Sequence, residues 1–281
     1  MCGIYGMLLL NGAAPEPRHR DILIRLAIAN QVRGNDATGL SFAKENSIVY
    51  FKHNIPARDF VNFDGAVKVI KDGFDTKIGG KLYSIIGHTR QKTQGTEKIQ
   101  GNNHPIRCGS LIGVHNGCIS NDNNIFTWLE HVDKHKVNRI AQVDSEAIFA
   151  LINHYARCFK DEFYSAAINN NQLYKSPITE AIKKAVPKLR GSMACAVQDS
   201  ENPKAVWLFR TCNPTAIYHY KKENIIIFAS TANSIEDAVA PTNFSNPEII
   251  NMAINQGITF NLEKNIYNKF DVEAMGYANY Y

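Results

Sequence analysis

The chain opens Met1-Cys2-Gly3-Ile4. Methionine is normally trimmed when a small residue follows, so Cys2 is a candidate first residue of the mature protein. A terminal cysteine carries a thiol nucleophile and an α-amine with an unperturbed pKa of about 7.7–8.0. That amine can take the thiol proton, directly or through a water, without a catalytic histidine. The simpler alternative is that position 2 just tolerates a small residue, and the first residues alone favour it.

Four further segments carry residue types that such a nucleophile would need. They are Arg33-Gly34-Asn35-Asp36-Ala37-Thr38-Gly39, Gly87-His88-Thr89-Arg90-Gln91-Lys92-Thr93-Gln94-Gly95, His115-Asn116-Gly117 and Asp144-Ser145-Glu146. Attack on an amide builds a tetrahedral oxyanion, which needs hydrogen-bond donors fixed before the charge develops. Asn116 offers a side-chain NH2, and Gly117 offers a backbone N–H with no Cβ to block approach. Asn-Gly is also a common tight-turn dipeptide, so a plain turn after a strand is the bland reading. Arg90 can grip a carboxylate with its planar fork, and Thr93 can add a hydroxyl or backbone contact. Asp144 can pair with an ammonium group. It can equally be an ordinary helix N-cap.

Taken in order, these five segments resemble the class II glutamine amidotransferase domain, an N-terminal-nucleophile hydrolase. Examples are the glutaminase halves of glucosamine-6-phosphate synthase and glutamine phosphoribosylpyrophosphate amidotransferase. The resemblance covers roughly residues 2–240. It implies the four-layer α-β-β-α sandwich of that class, an α+β fold. It also implies hydrolysis of the glutamine side-chain amide through a Cys2 thioester, giving glutamate and ammonia. Cys2, Asn116 and Gly117 would be catalytic, while Arg90, Thr93 and Asp144 would bind L-glutamine. Arg33 and Asp36 look like the family's early supporting pair. His88 lies in the strand leading to Arg90. His104-Pro105, after Asn102-Asn103, resembles the family's Asn-x-His-Pro stretch and would shape the pocket. In two places the chain departs from the pattern. The synthases commonly have an aromatic residue where this chain has Gln91, and in glucosamine-6-phosphate synthase it is implicated in gating ammonia passage. They often have histidine or another residue where this chain has Gln94.

These residues need elements to position them. Strongly apolar runs at residues 4–10, 82–88 and 110–115 read as buried strands. Helical spacing appears at 18–32, 61–71, 121–131, 145–159 and 178–186, the last closed by Pro187. A hairpin is expected from 41–42 and 48–51 across residues 44–47. Strands follow at 192–198, 205–209, 216–220 and 225–229. Thr231 can cap a helix running to Val239, and 258–262 is the last expected strand. The strands and helices are not in βαβ alternation, which suggests two sheets covered by helices. One domain is expected over residues 2–266, then a polar, aromatic tail over 267–281. Its Tyr267, Phe270, Tyr277, Tyr280 and Tyr281 are candidates for a docking patch.

Composition excludes several other classes. No apolar run approaches the ~20 residues that span a bilayer, and nothing resembles a secretory signal. Six cysteines without close pairing suggest reduced thiols and a cytoplasmic setting. Asn243-Phe244-Ser245 is then a chance sequon. The net charge of +5 is dispersed, so no nucleic-acid stripe is expected. His131 and His135 have i, i+4 spacing but lack the glutamate of a zinc-protease helix. No cofactor or metal is expected. The leading functional expectation is a glutaminase whose ammonia passes to a separate synthase subunit. A hydrolase of larger γ-glutamyl amides is the alternative, and a non-catalytic regulatory subunit the third reading.

Overall fold

The computed structural model describes residues 2–132, 139–167 and 176–273, without side chains at 161–167. In chain order the elements are β1 (Gly3–Leu9), α1 (Pro17–Asn30), β2 (Ala37–Lys44), β3 (Ser47–His53), α2 (Ala57–Phe60), α3 (Asp64–Phe74), β4 (Leu82–Arg90), β5 (Ile106–Cys108), β6 (Leu111–Ile119), α4 (Asp122–Val132), α5 (Ser145–Ala167), α6 (Pro177–Ala185), β7 (Gly191–Asp199), β8 (Ala205–Arg210), β9 (Ala216–Tyr220), β10 (Ile225–Ala229), α7 (Ala232–Val239), β11 (Glu248–Ile249), β12 (Gln256–Asn261) and β13 (Ile266–Asp271). Local chemistry explains several starts. Pro17 and Pro177 open their helices where a missing N–H costs nothing. The Thr231 hydroxyl accepts from Ser234 N–H at the head of α7, as expected.

The strands form two antiparallel sheets. The seven-stranded sheet runs β11-β9-β10-β1-β4-β2-β3 and the six-stranded sheet β13-β12-β8-β7-β6-β5. Three apolar clusters bind four layers. Leu23, Leu26, Ile70 and Ile235 pack helices α1, α3 and α7 onto the outer face of the first sheet. Phe126, Ile148, Leu151 and Ile182 pack α4, α5 and α6 onto the outer face of the second. Ile4, Leu8, Ile86, Val114, Leu208 and Phe228 fill the space between the sheets. Alternation along each strand assigns the faces. In β1, Tyr5, Met7 and Leu9 point to the helices, and Ile4 and Leu8 point to the other sheet. The α-β-β-α sandwich is therefore the observed architecture.

Asn116 and Gly117 do not form the turn of the bland reading; they lie within β6, which continues to Ile119. Two expectations change. Residues 258–262 are not the last strand, because β13 follows and pairs with β12 along its length. The boundary drawn at 266 thus falls inside a paired strand, and Phe270 and Val272 belong to the core. Phe270 is not a docking aromatic. Tyr277, Tyr280 and Tyr281, like His135, lie outside the described residues. Among the described residues, no helix is long and apolar enough to cross a membrane.

Candidate active site

The first sheet sets the nucleophile beside its neighbours. Strand β4 lies between β1 and β2, with Gly3 opposite Thr89 and Ala37 opposite Arg90. This register puts Cys2, one residue before Gly3, beside the end of β4. The Cys2 thiol donates to Gln91 O at 3.3 Å and accepts from Gln91 N–H at 3.4 Å. Arg33 Nε donates to Cys2 O at 3.3 Å. Asp36 holds the loop that touches the sulfur, accepting from Lys92 N–H at 2.6 Å and from Gln91 Nε2 at 3.3 Å. Arg33 and Asp36 thus act on different parts: one fixes the Cys2 backbone, the other the loop over its thiol. Burial pushes the Cys2 thiol up, and the Gln91 N–H pulls it part of the way back.

The second sheet supplies β6, which outruns its neighbour. The β6–β7 ladder is bounded by Ser200 N–H to Ser110 O and Ser120 N–H to Arg190 O. Even-numbered residues of β6 therefore exchange bonds with β7, and odd-numbered residues face the other way. On that side β5 pairs only with Leu111 to Gly113. Beyond it, His115 O accepts from His88 Nε2 at 3.0 Å, and Ile119 N–H donates to Asp144 Oδ2 at 2.6 Å. Between these two sites, the Gly117 N–H points away from β7. Gly117 has a φ of 153°, and a Cβ there would meet Ser192 O at 2.0 Å. Only glycine fits this strand position.

Cys2, Arg90, Thr93, His104, Gly117 and Asp144 line one small pocket, with Gln91, Gln94, His115, Val143 and Ser145. Asn116 and His88 are not among its lining residues. Asn116 is buried with neither side-chain atom hydrogen-bonded. Both His104 ring nitrogens are likewise buried and unpartnered. The His104 ring stacks on His88 with centroids 4.0 Å apart. Burial pulls His88 down to about 3, and pulls His104 well below the ordinary histidine value, so both rings are neutral. His115 is also lowered by burial, with Asp144 opposing, and its Nδ1 lies 2.8 Å from Ser145 Oγ.

Arg90 already spends three of its five donors. NH1 reaches Asn103 Oδ1 at 2.8 Å, and NH2 reaches Gln94 O at 2.6 Å and Gly95 O at 2.8 Å. It therefore shapes the loop as well as facing the cavity. Gln94 Nε2 is also tied to Asp122 Oδ2 at 3.1 Å, and Asp122 pairs with Arg139 at 2.6 Å. Asn103, Gln94, Asp122 and Arg139 were not among the expected site residues. Gln94 had a signal as part of the 87–95 segment and Asn103 through its place next to His104-Pro105; Asp122 and Arg139 had none. Among the described residues, no group of three His, Cys, Asp or Glu side chains is placed to hold a metal ion.

Residues 88–237 match a family described as a glutamine amidotransferase domain. A glutamine–fructose-6-phosphate aminotransferase (isomerizing) of Bacillus licheniformis is 24% identical over 281 residues, covering 100% of this chain and 39% of that protein. The enzyme of that name from Thermotoga maritima is 28% identical over 219 residues, covering 76% of this chain and 29% of that protein. The chain thus spans about two fifths or less of these relatives' length. Among solved structures, a glutamine phosphoribosylpyrophosphate amidotransferase from B. subtilis, complexed with ADP and GMP, has a TM-score of 0.64 at 17% identity. That match covers 96% of this chain and 49% of the other. A glutamine aminotransferase class-II domain protein from Silicibacter pomeroyi has a TM-score of 0.52 at 12% identity, covering 96% and 99%. At these identities the structural likeness concerns the fold.

Proposed function

The chain belongs to the glutamine amidotransferase domain family, as a class II member, and from that premise we propose that Cys2 hydrolyses the side-chain amide of L-glutamine through a thioester. One observation carries the reading: a small cavity gathers the thiol, Arg90, Thr93, the outward N–H of Gly117 and Asp144.

Removal of Met1 frees the Cys2 α-amine. The buried thiol is a poor acid, so a base on the same residue matters, and the amine takes its proton. Sulfur attacks the amide carbon, and the carbonyl electron pair moves onto oxygen. Asn116 Nδ2 and Gly117 N–H stabilise that oxyanion. When the carbonyl re-forms, the nitrogen leaves as ammonia with the proton held by the amine. Water then attacks the thioester, giving glutamate and restoring the thiol. The Arg90 guanidinium, helped by Thr93, attracts the α-carboxylate. Asp144 holds the α-ammonium. The ammonia passes to an acceptor synthase, whose chemistry this chain does not define.

An intact mass spectrum before and after incubation with a diazo-ketone glutamine analogue tests the reading. The starting mass reports Met1 removal. A single adduct on Cys2, blocked by excess glutamine, is expected. Cys2→Ala should abolish turnover and Cys118→Ala should largely spare it. Equal activity in the two variants would refute the assignment.

A further inference from the structure

We propose that Lys52 is a positioning residue for this pocket: its ammonium ties the Asn103 and Pro105 carbonyls together and so sets the wall that presents His104 and braces Arg90. The proposal rests on the amide-hydrolysis reading. Lys52 lies on β3, outside the five motifs, and does not line the Cys2 cavity.

The geometry is specific. Lys52 Nζ donates to Asn103 O at 2.6 Å and to Pro105 O at 2.9 Å. These carbonyls flank His104, a residue that lines the cavity. Two carbonyl oxygens aimed at one point repel each other, and a shared cation reverses that repulsion with two charge-assisted bonds. The tie acts on both sides of the wall. The Asn103 side chain accepts from Arg90 NH1, so moving Asn103 moves the guanidinium as well as the imidazole. Strand β2 closes the wall from beneath. A Cβ at Gly39 would meet His104 O at 2.1 Å and the Lys52 Cβ at 2.8 Å. The loop therefore lies against the sheet, and Lys52 is the side chain placed to hold it there.

The tie depends on charge. Burial pulls Lys52 down to about 8; Arg90 on β4 pushes the same way, while Glu146 on α5 and Cys108 on β5 oppose. The nearby His88 and His104 are neutral and add no charge of their own. Lys52 also borders a surface groove with Tyr50, Ile106, Ile140 and Glu146, through which solvent reaches it. As pH rises through 8, the ammonium becomes an amine. Two charge-assisted bonds become ordinary ones, and the wall is held less firmly.

The test is kcat/KM for glutamine from pH 6.5 to 9.5 in wild type, Lys52→Met and Lys52→Arg, with thermal midpoints measured alongside. Lys52→Met should lower kcat/KM about tenfold or more at pH 7.5, as expected for a displaced binding group. It should also lose the part of the alkaline decline centred near pH 8, keeping only the later fall that loss of the glutamine ammonium imposes on all three proteins. Lys52→Arg, charged throughout, should keep most of the activity and hold it to higher pH. Wild-type kcat/KM in Lys52→Met, or the same decline near pH 8 in all three, would overturn the proposal. If Lys52→Met does not fold, the alkaline limbs of wild type and Lys52→Arg decide. Absence of glutamine turnover in trimmed wild type would sink the amide-hydrolysis reading itself, and the Lys52 proposal with it. Turnover in wild type with unaffected variants would sink the Lys52 proposal alone.

Discussion

Two polar clusters are buried between the same two sheets, and they are built in opposite ways. Near the middle of the gap, Gln198 accepts from Ser41 Oγ at 2.7 Å and donates to Ser84 Oγ at 2.9 Å and Ser84 O at 3.1 Å. Its amide is satisfied at both ends. At the Cys2 end, the Asn116 amide and both His104 nitrogens have no partners. Leaving a buried polar group unpaired costs roughly 1–3 kcal/mol, whereas pairing it returns most of that. The first cluster is what a sandwich does with polar residues it must bury. The second keeps donors and acceptors free where an anion and an amino acid are proposed to bind.

The sharpest way to break the contrast is Asn116→Ala. Loss of one oxyanion donor should lower kcat by about 10²–10³. Stability should fall far less than for an ordinary buried polar deletion, because no existing bond is lost. A large fall in the denaturation midpoint with intact kcat would reverse the assignment. The opposite pattern is expected of Gln198→Ala. Denaturant unfolding should show a loss of about 2–3 kcal/mol, since Ser41 and Ser84 are left unpaired. Turnover per folded molecule should stay near wild type. A kcat loss comparable to that of Asn116→Ala would mean that the two clusters are not functionally separate.

The smallest effect concerns acid. His104 has a folded-state pKa below its unfolded value of about 6.5, so the unfolded chain binds the extra proton. Its stability contribution is complete above that value and is lost as pH falls below it. Between pH 7.5 and 5.5, one such ring costs at most about 1.4 kcal/mol. His104→Gln, neutral throughout, should lose that much less stability over the same interval. Equal acid sensitivity in both proteins would show that His104 is protonated in the fold.

Legibility differed between these regions for physical reasons. Strands buried on both faces, such as 4–10 and 82–88, announced themselves by continuous apolar runs. Amphipathic helices such as α6 did so by spacing. Strand β13 gave no such signal, because Ile266 to Lys269 are all exposed and only Phe270 and Val272 reach the core. The end of β6 was hidden because Asn-Gly is the composition of a turn, while its strand conformation is set by pairing with β7. The candidate residues around Cys2 were found through the order of five short motifs. Lys52 and the Asp122–Arg139 pair could not be found that way. A lysine on a strand or an aspartate at a helix start is unremarkable until the neighbours that bury it are known.

The overhang of β6 past β5 has a further consequence. A strand edge with free N–H and C=O groups elsewhere invites another strand to add itself. Here His88 and Asp144 occupy the positions on either side of Gly117, so the exposed stretch of edge is a single residue long. Such an edge leaves no room for a second strand to pair along it. Selectivity for a free amino acid over a protein chain would then be set by the length of the neighbouring strand, before any side chain in the pocket is consulted.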